Sequence, residues 1–209
     1  QLAAGAPASA QTPAHATEPE ARAATATATT PTLFPLGAHY GVQLFSSQSP
    51  LLHGPGLLLG VSHGAQATRP GAALVGQLWW PASAHDSVAS VRVYSGALRV
   101  LATLEHRAGE AVVLSAGVGG GVDWVRVEPG AASMRPVQLT PPTTLTTPAF
   151  RAAIGAKVRL APGFSLYTTC ALDADPSGTR YVSVNDGVVA GVLEPHWLRP
   201  SWVAGVATP

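Results

Sequence analysis

Residues 149–173 read AFRAAIGAKVRLAPGFSLYTTCALD, and this stretch decides the fold. Phe150, Ala152, Ile154, Ala156, Val158 and Leu160 recur at every second position, with Arg151, Ala153, Gly155, Lys157 and Arg159 between them. A period of two is the signature of a β-strand whose two faces meet different surroundings. After Pro162-Gly163 the alternation resumes, with Phe164, Leu166, Thr168, Cys170 and Leu172 set against Ser165, Tyr167, Thr169 and Asp173. A Pro-Gly pair between two such runs predicts a tight hairpin.

The same period organises SAGVGGGVDWVRVEPG, Ser115–Gly130, where four of the five residues from Gly117 to Gly121 are glycine. A phosphate-binding loop would need Lys and Ser/Thr after its last glycine, and a dinucleotide-binding turn would have to open a helix. Val122, Asp123 and Trp124 follow instead. Val112, Leu114, Ala116, Val118, Val122 and Trp124 share one parity, and Ser115, Gly117, Gly119, Gly121 and Asp123 share the other. The glycines are therefore expected on the inner face of a tightly curved sheet, leaving room for larger side chains from across a barrel.

Further alternating runs lie at Gly37–Phe45, Gly56–Ser62, Ala73–Trp80, Ser87–Arg107 and from Leu198 to Val206. In the run ending at Arg107 the apolar parity changes, from Val91 and Val93 to Leu98, Val100, Ala102 and Leu104, which predicts a β-bulge near Ser95-Gly96. The count is about eight strands, a number that closes a small barrel. Residues 1–32 are Ala, Thr and Pro with no apolar period, and are expected to be a disordered tail ahead of a barrel over 33–209.

Composition says which face meets what. Charged residues make up 11% of the 209-residue chain, against about 25% in soluble domains, and none lies between Arg22 and Arg69. The net charge of +1 offers nucleic acid no basic face. No apolar run approaches the length of a membrane-spanning helix, so if this chain meets lipid it does so as strands. The single cysteine, Cys170, excludes an internal disulfide, and it is read as a small apolar residue on the lipid face. The only methionine is Met134, and Gln1 is read as the start of a processed product with its export signal removed.

One face of the predicted strands is apolar. The other is Gly, Ser, Thr and Gln, punctuated by Arg99, Glu105, Asp123, Arg151, Lys157 and Arg159. A soluble sandwich or a lipocalin-like ligand-binding barrel would carry frequent charges on its polar face, whereas a narrow transmembrane barrel fills its lumen with small residues and a few paired charges. The six charges are expected to form a network in the lumen, with Asp123 or Glu105 within reach of the cations on the sixth strand. Gln43, Gln77 and Tyr167 are expected to satisfy the remaining donors. Tyr40, Trp80, Trp124 and Trp202 are expected at the membrane interfaces. Short connections near Arg107–Glu110 and at Pro162-Gly163, against long ones at Pro129–Pro148 and Ala174–His196, predict that both termini share the periplasmic end.

The phrases AAIGAKVRLAPGFSLYTTCALD and LEPHWLRPSWVAGV, and the layout from GAHYGVQLF onward, resemble small Gram-negative outer-membrane β-barrel proteins of the OmpA/OmpX-like group. The resemblance covers roughly Leu33 to Thr208. It implies an all-β, eight-stranded antiparallel up-and-down transmembrane barrel with a plugged lumen. Such barrels commonly end in an aromatic residue, and this chain ends VATP.

No site chemistry stands out beside this. The seven histidines form no metal-ligand spacing; His39 is assigned to the lumen, and His53, His63 and His85 to loops or turns. DADPSG, from Asp173, opens like a calcium loop but carries Val184 where the bidentate Glu belongs. Ser115, Asp123 and His39 could be assembled as a hydrolytic triple, but no nucleophile motif accompanies them. The sequence is therefore read as a non-enzymatic outer-membrane barrel without cofactor or metal. Outer-membrane lipid is its expected partner, with other envelope proteins as candidates and no nucleic acid. The role expected is structural, anchoring or assembly through loops and tail, with a narrow anion-preferring pore or a secreted soluble lipocalin-like ligand-binding barrel as the alternatives.

Overall fold

The computed structural model describes residues 31–47, 49, 51–85, 89–131, 141–185 and 188–208. Most of the predicted tail, residues 1–30, lies outside them, as do residues 48, 50, 86–88, 132–140 (with Met134), 186–187 and 209. Every element is a strand: β1 (Thr32–Leu33), β2 (Leu36–Leu44), β3 (Leu51–His63), β4 (Thr68–His85), β5 (Ala89–Ala108), β6 (Val112–Ala131), β7 (Thr143–Ala161), β8 (Phe164–Ala174), β9 (Tyr181–Asn185), β10 (Val188–Leu193) and β11 (Leu198–Ala207).

β2 to β8 and β11 form one antiparallel wall in chain order, closed by β11 pairing with both β8 and β2. β1 adds a short rung to β3, and β9 and β10 form a separate hairpin in the last connection. Eight strands close the barrel, as the periodicity indicates.

Its shape follows from the register. Stepping strand to strand from Asp123 through Ala97, Gln77, Gly56, His39, Gly205, Tyr167 and Lys157 returns to β6 at Val113, ten residues below the start. For strands ~4.8 Å apart rising ~3.4 Å per residue, that stagger tilts the eight strands by about 40°. Each residue then climbs ~2.6 Å along the barrel axis, so the 20 residues of β5 span ~50 Å, about twice the apolar band of a membrane barrel. The barrel therefore projects well beyond such a band at one end.

That projection explains the change of apolar parity in β5, and it corrects the predicted bulge. The inward parity runs unbroken through Val91, Val93, Ser95, Ala97, Arg99 and Leu101, and the β5–β6 register has no shift. The polarity of the surroundings changes, not the backbone. Within the band the outer face is apolar (Leu98, Val100, Leu104); above it the outer face carries Arg92, Arg126 and Glu128, while Val91, Val93, Val125 and Val127 turn inward. Where the wall meets water on its outside, the apolar side chains go to the inside. The bulge lies across the ladder in β4, between Trp79 and Ala82. Gly96, on the outer face, is covered by the indole of Trp124.

The strands are longer than the sequence pattern suggests because prolines that read as breakers lie on them. Pro55, Pro70, Pro148 and Pro200 are all exposed strand residues. For the same reason His53 lies within β3, and His63 and His85 end β3 and β4, instead of sitting in loops.

The termini and the short connections 64–67, 109–111 and 162–163 share one end. Thr208 N donates to Leu36 O there at 2.8 Å. At Pro162-Gly163 the glycine has φ +80°, the left-handed value that the third residue of a type II turn requires. The C-terminal ends of β2, β4, β6 and β8 lie at the opposite end.

Gly117, Gly119 and Gly121 face inward as expected, but the reason differs at two of them. A Cβ on Gly119 would fall against the carbonyl oxygen of Val100, and one on Gly121 against that of Leu98, both in the adjacent strand β5. These glycines allow the wall to bend sharply between β5 and β6; they are not making room for side chains from across the lumen.

Candidate functional site

The barrel interior is filled in layers. At the projecting end Phe45, Leu52, Trp79, Ala84, Val91, Val93, Val125, Val127 and Leu193 form an apolar cap. Leu193 ends the β9–β10 hairpin, so the last connection contributes to closing this mouth. The backbone anchors it: His196 N donates to Phe45 O at 2.7 Å.

Directly below lies a charge cluster. Asp173 accepts from Arg151 Nε (2.9 Å) and Nη2 (2.7 Å), from Arg99 Nε (3.1 Å) and from Gln43 Nε2 (2.9 Å). Asp123 pairs with Arg99 and with Arg199 Nη2 (2.6 Å), and Arg199 also reaches Asp175 at 3.4 Å. Three arginines thus meet three aspartates, and Arg99, Asp173 and Arg199 are at most 2% exposed. The Arg199 guanidinium also lies 5.9 Å from the centre of the Phe45 ring, which ties the cluster to the cap.

A middle layer is neutral. His39 Nδ1 is 2.8 Å from Tyr167 Oη, and His39 Nε2 is 2.7 Å from Gln77 Oε1. Gln77 Nε2 donates to the carbonyls of Gly54 (2.7 Å) and Pro55 (3.0 Å), where the β3–β4 ladder ends. A cavity of about 80 Å³ lies here, bordered by Leu58, Val75, Leu101, His39 and Tyr167. At the end carrying the termini, Glu105 sits between Arg69 (3.0 Å) and Lys157 (3.7 Å).

The register explains why the pairs differ from those expected. Asp123 stands opposite Thr147 on β7, so it turns to Arg99 and Arg199, whereas Arg151 stands directly opposite Asp173 on β8. Of the sixth-strand cations, Lys157 meets Glu105, while Arg159 is exposed at the rim with no carboxylate in ion-pair range among the described residues. Gln77 and Tyr167 serve His39 and backbone carbonyls, not the cations; Gln43 serves an acid.

Sequence reading misses Arg69, Asp173, Asp175 and Arg199 as members. Inward parity on β8 and β11 is the available signal for Asp173 and Arg199, but in the sequence Asp173 and Asp175 read first as the start of a calcium loop. The structure gives both carboxylates to arginines. Nor are Ser115, Asp123 and His39 brought together: His39 is held by Gln77 and Tyr167, and Asp123 by two arginines.

The outer face is a girdle of Leu, Val, Ile, Phe and Trp, including Leu57, Leu78, Val100, Val118, Ile154 and Leu172, all more than 36% exposed. Cys170 lies on this face. Trp80 and Trp124 stand at its upper margin. The register puts Tyr40 and Trp202 ~10 Å lower, within the girdle. Each satisfies its polar atom locally: Tyr40 Oη bonds His53 Nδ1, and Trp202 Nε1 donates to Thr168 Oγ1 at 2.8 Å.

An apolar exterior around a polar, filled interior, closed without edges, defines the class: a small outer-membrane-type β-barrel. No family model matches the sequence, and no curated protein is similar to it at the level of sequence. Among solved structures the chain is similar to Ail, the attachment invasion locus protein of Yersinia pestis, crystallised with the heparin analogue sucrose octasulfate. The identity is 13%, the TM-score 0.51, and 86% of this chain and 97% of that one are covered. It is also similar to a major outer membrane protein from Thermus thermophilus, at 10% identity and TM-score 0.51, over 84% and 99% of the two chains. At these identities the likeness is one of fold.

Proposed function

We propose that this chain is an integral outer-membrane protein whose barrel serves as a non-catalytic anchor, presenting the connections at its projecting end to the exterior and its N-terminal segment to the periplasm. One observation carries the reading: the cap and the neutral Arg/Asp cluster close the lumen at the projecting end, with the His39 layer and the Glu105 pairs beneath them, inside an apolar outer girdle. A closed lumen argues against solute passage, and an apolar exterior argues against a water-soluble, lipocalin-like carrier. Function then rests with the wall and the connections, where loops on a rigid scaffold carry recognition.

Measurements on the purified chain test this. The purified chain should fractionate with outer membrane, show heat-modifiable gel mobility and give no steady conductance in planar bilayers. Reproducible ohmic single-channel steps would overturn the anchor in favour of a pore, and a monodisperse sample without detergent would overturn the membrane assignment.

A further inference from the structure

The charges inside the barrel are unevenly balanced between its two ends. The cluster under the cap is neutral, three arginines to three aspartates. At the end bearing the termini, Arg69 on β4, Arg107 on β5 and Lys157 and Arg159 on β7 all line one cavity of about 30 Å³, together with Glu110 and Ser165. Glu105 is shared by Arg69 and Lys157, which leaves Arg107 and Arg159 without a carboxylate in ion-pair range among the described residues. Four cations therefore converge where two carboxylates stand, on a chain whose whole net charge is only +1.

We propose that this inward mouth is a binding site for a phosphate-class anion. The geometry suits one. Arg69 is 5% exposed and held in place by Glu105, so one guanidinium is fixed, while Arg107 and Arg159 are free to close on a ligand from the rim. The planar guanidinium presents paired donors that match phosphate oxygens, and two free arginines beside a lysine provide both charge and directional bonds. The site also lies beside the lower margin of the lipid-facing girdle, where Leu104, Val158 and Leu160 are exposed on the same two strands, β5 and β7. A phospholipid with its chains against that wall would bring its phosphodiester to the level of Arg107 and Arg159. Free phosphate from the periplasm has the same chemistry and would meet the same cations at the mouth of this cavity.

The lipid source rests on the membrane placement proposed above; the anion site itself does not. The test uses the full chain folded in nonionic detergent, with heat-modifiable mobility checked in every sample to report on the barrel separately. Native mass spectrometry counts adducts of phosphatidylglycerol and of phosphatidylcholine, and inorganic phosphate is titrated as a competitor and as a ligand. Phosphatidylglycerol should bind in preference to the zwitterionic lipid. The double variant Arg107→Gln/Arg159→Gln should reduce that binding roughly tenfold or more at unchanged gel mobility. The variant Arg126→Gln, at the opposite end, should leave it unchanged. Displacement of the lipid by inorganic phosphate identifies the phosphate group as sufficient; phosphatidylglycerol binding that resists phosphate identifies the lipid headgroup as the ligand. Equal binding of the two lipids with no phosphate adduct, or full binding by the double variant, would overturn the site while leaving the barrel and its membrane placement intact.

Discussion

Asp173→Asn is the most telling single change in the lumen. The carboxylate receives four side-chain hydrogen bonds, three of them from guanidinium groups, at 0% exposure. The amide keeps the shape and removes the charge. Arg99 would still have Asp123, but Arg151 has no second carboxylate in ion-pair range among the described residues. The cluster would then hold two aspartates against three arginines in a dry interior. Breaking a buried pair by removing one partner costs about 3–5 kcal/mol, chiefly because the other charge remains buried and unmatched. Asp123→Asn should cost less, about 1–3 kcal/mol, since each arginine it serves retains another aspartate: Asp173 for Arg99 and Asp175 for Arg199. Urea titration of the protein folded in lipid vesicles, followed by heat-modifiable mobility and tryptophan fluorescence, measures both. A loss below about 1 kcal/mol for Asp173→Asn, or one no greater than for Asp123→Asn, would refute the argument that this carboxylate is the hub of the cluster.

Three further outcomes are expected. Val118→Arg, midway along the apolar run of β6 and 63% exposed, should lower folding stability in vesicles by about 2–4 kcal/mol. Val158→Arg, three residues from the end of β7, should cost only ~0–1 kcal/mol, and equal effects would contradict the assigned depth. Gly121→Ala should destabilise by about 1–3 kcal/mol, because its methyl meets the backbone of β5, whereas Gly120→Ala on the outer face should be nearly silent in the same titration. Arg69→Gln, removing one of two cations from Glu105, should cost about 1–3 kcal/mol, short of Asp173→Asn because Lys157 still meets the carboxylate; a loss equal to that of Asp173→Asn would mean the inward mouth is as tightly coupled as the buried cluster.

Local alternation determined much of this protein. Period two in Phe150–Leu160 and Phe164–Leu172, with Pro162-Gly163 between, identified strands, a hairpin and the outward face, because a side chain's parity along a strand follows from backbone geometry alone. The parity also put Arg99, Asp123, Arg151 and Lys157 on the inward face. Arg151 opposite Asp173 follows from the β7–β8 hairpin register alone, but the contacts across the lumen, Arg99 with Asp173 and Arg199 with Asp123, join strands that are not neighbours and depend on the ten-residue stagger that appears only when β11 closes on β2. The lost signal in β5 has the same origin: Val91 and Arg99 share one backbone parity but sit at different depths, and only the tilt and length of the closed barrel fix where lipid gives way to water. Gly119 and Gly121 likewise announced an inward face, while the reason they must be glycine, the close approach of the β5 backbone, belongs to the curvature of the assembled wall.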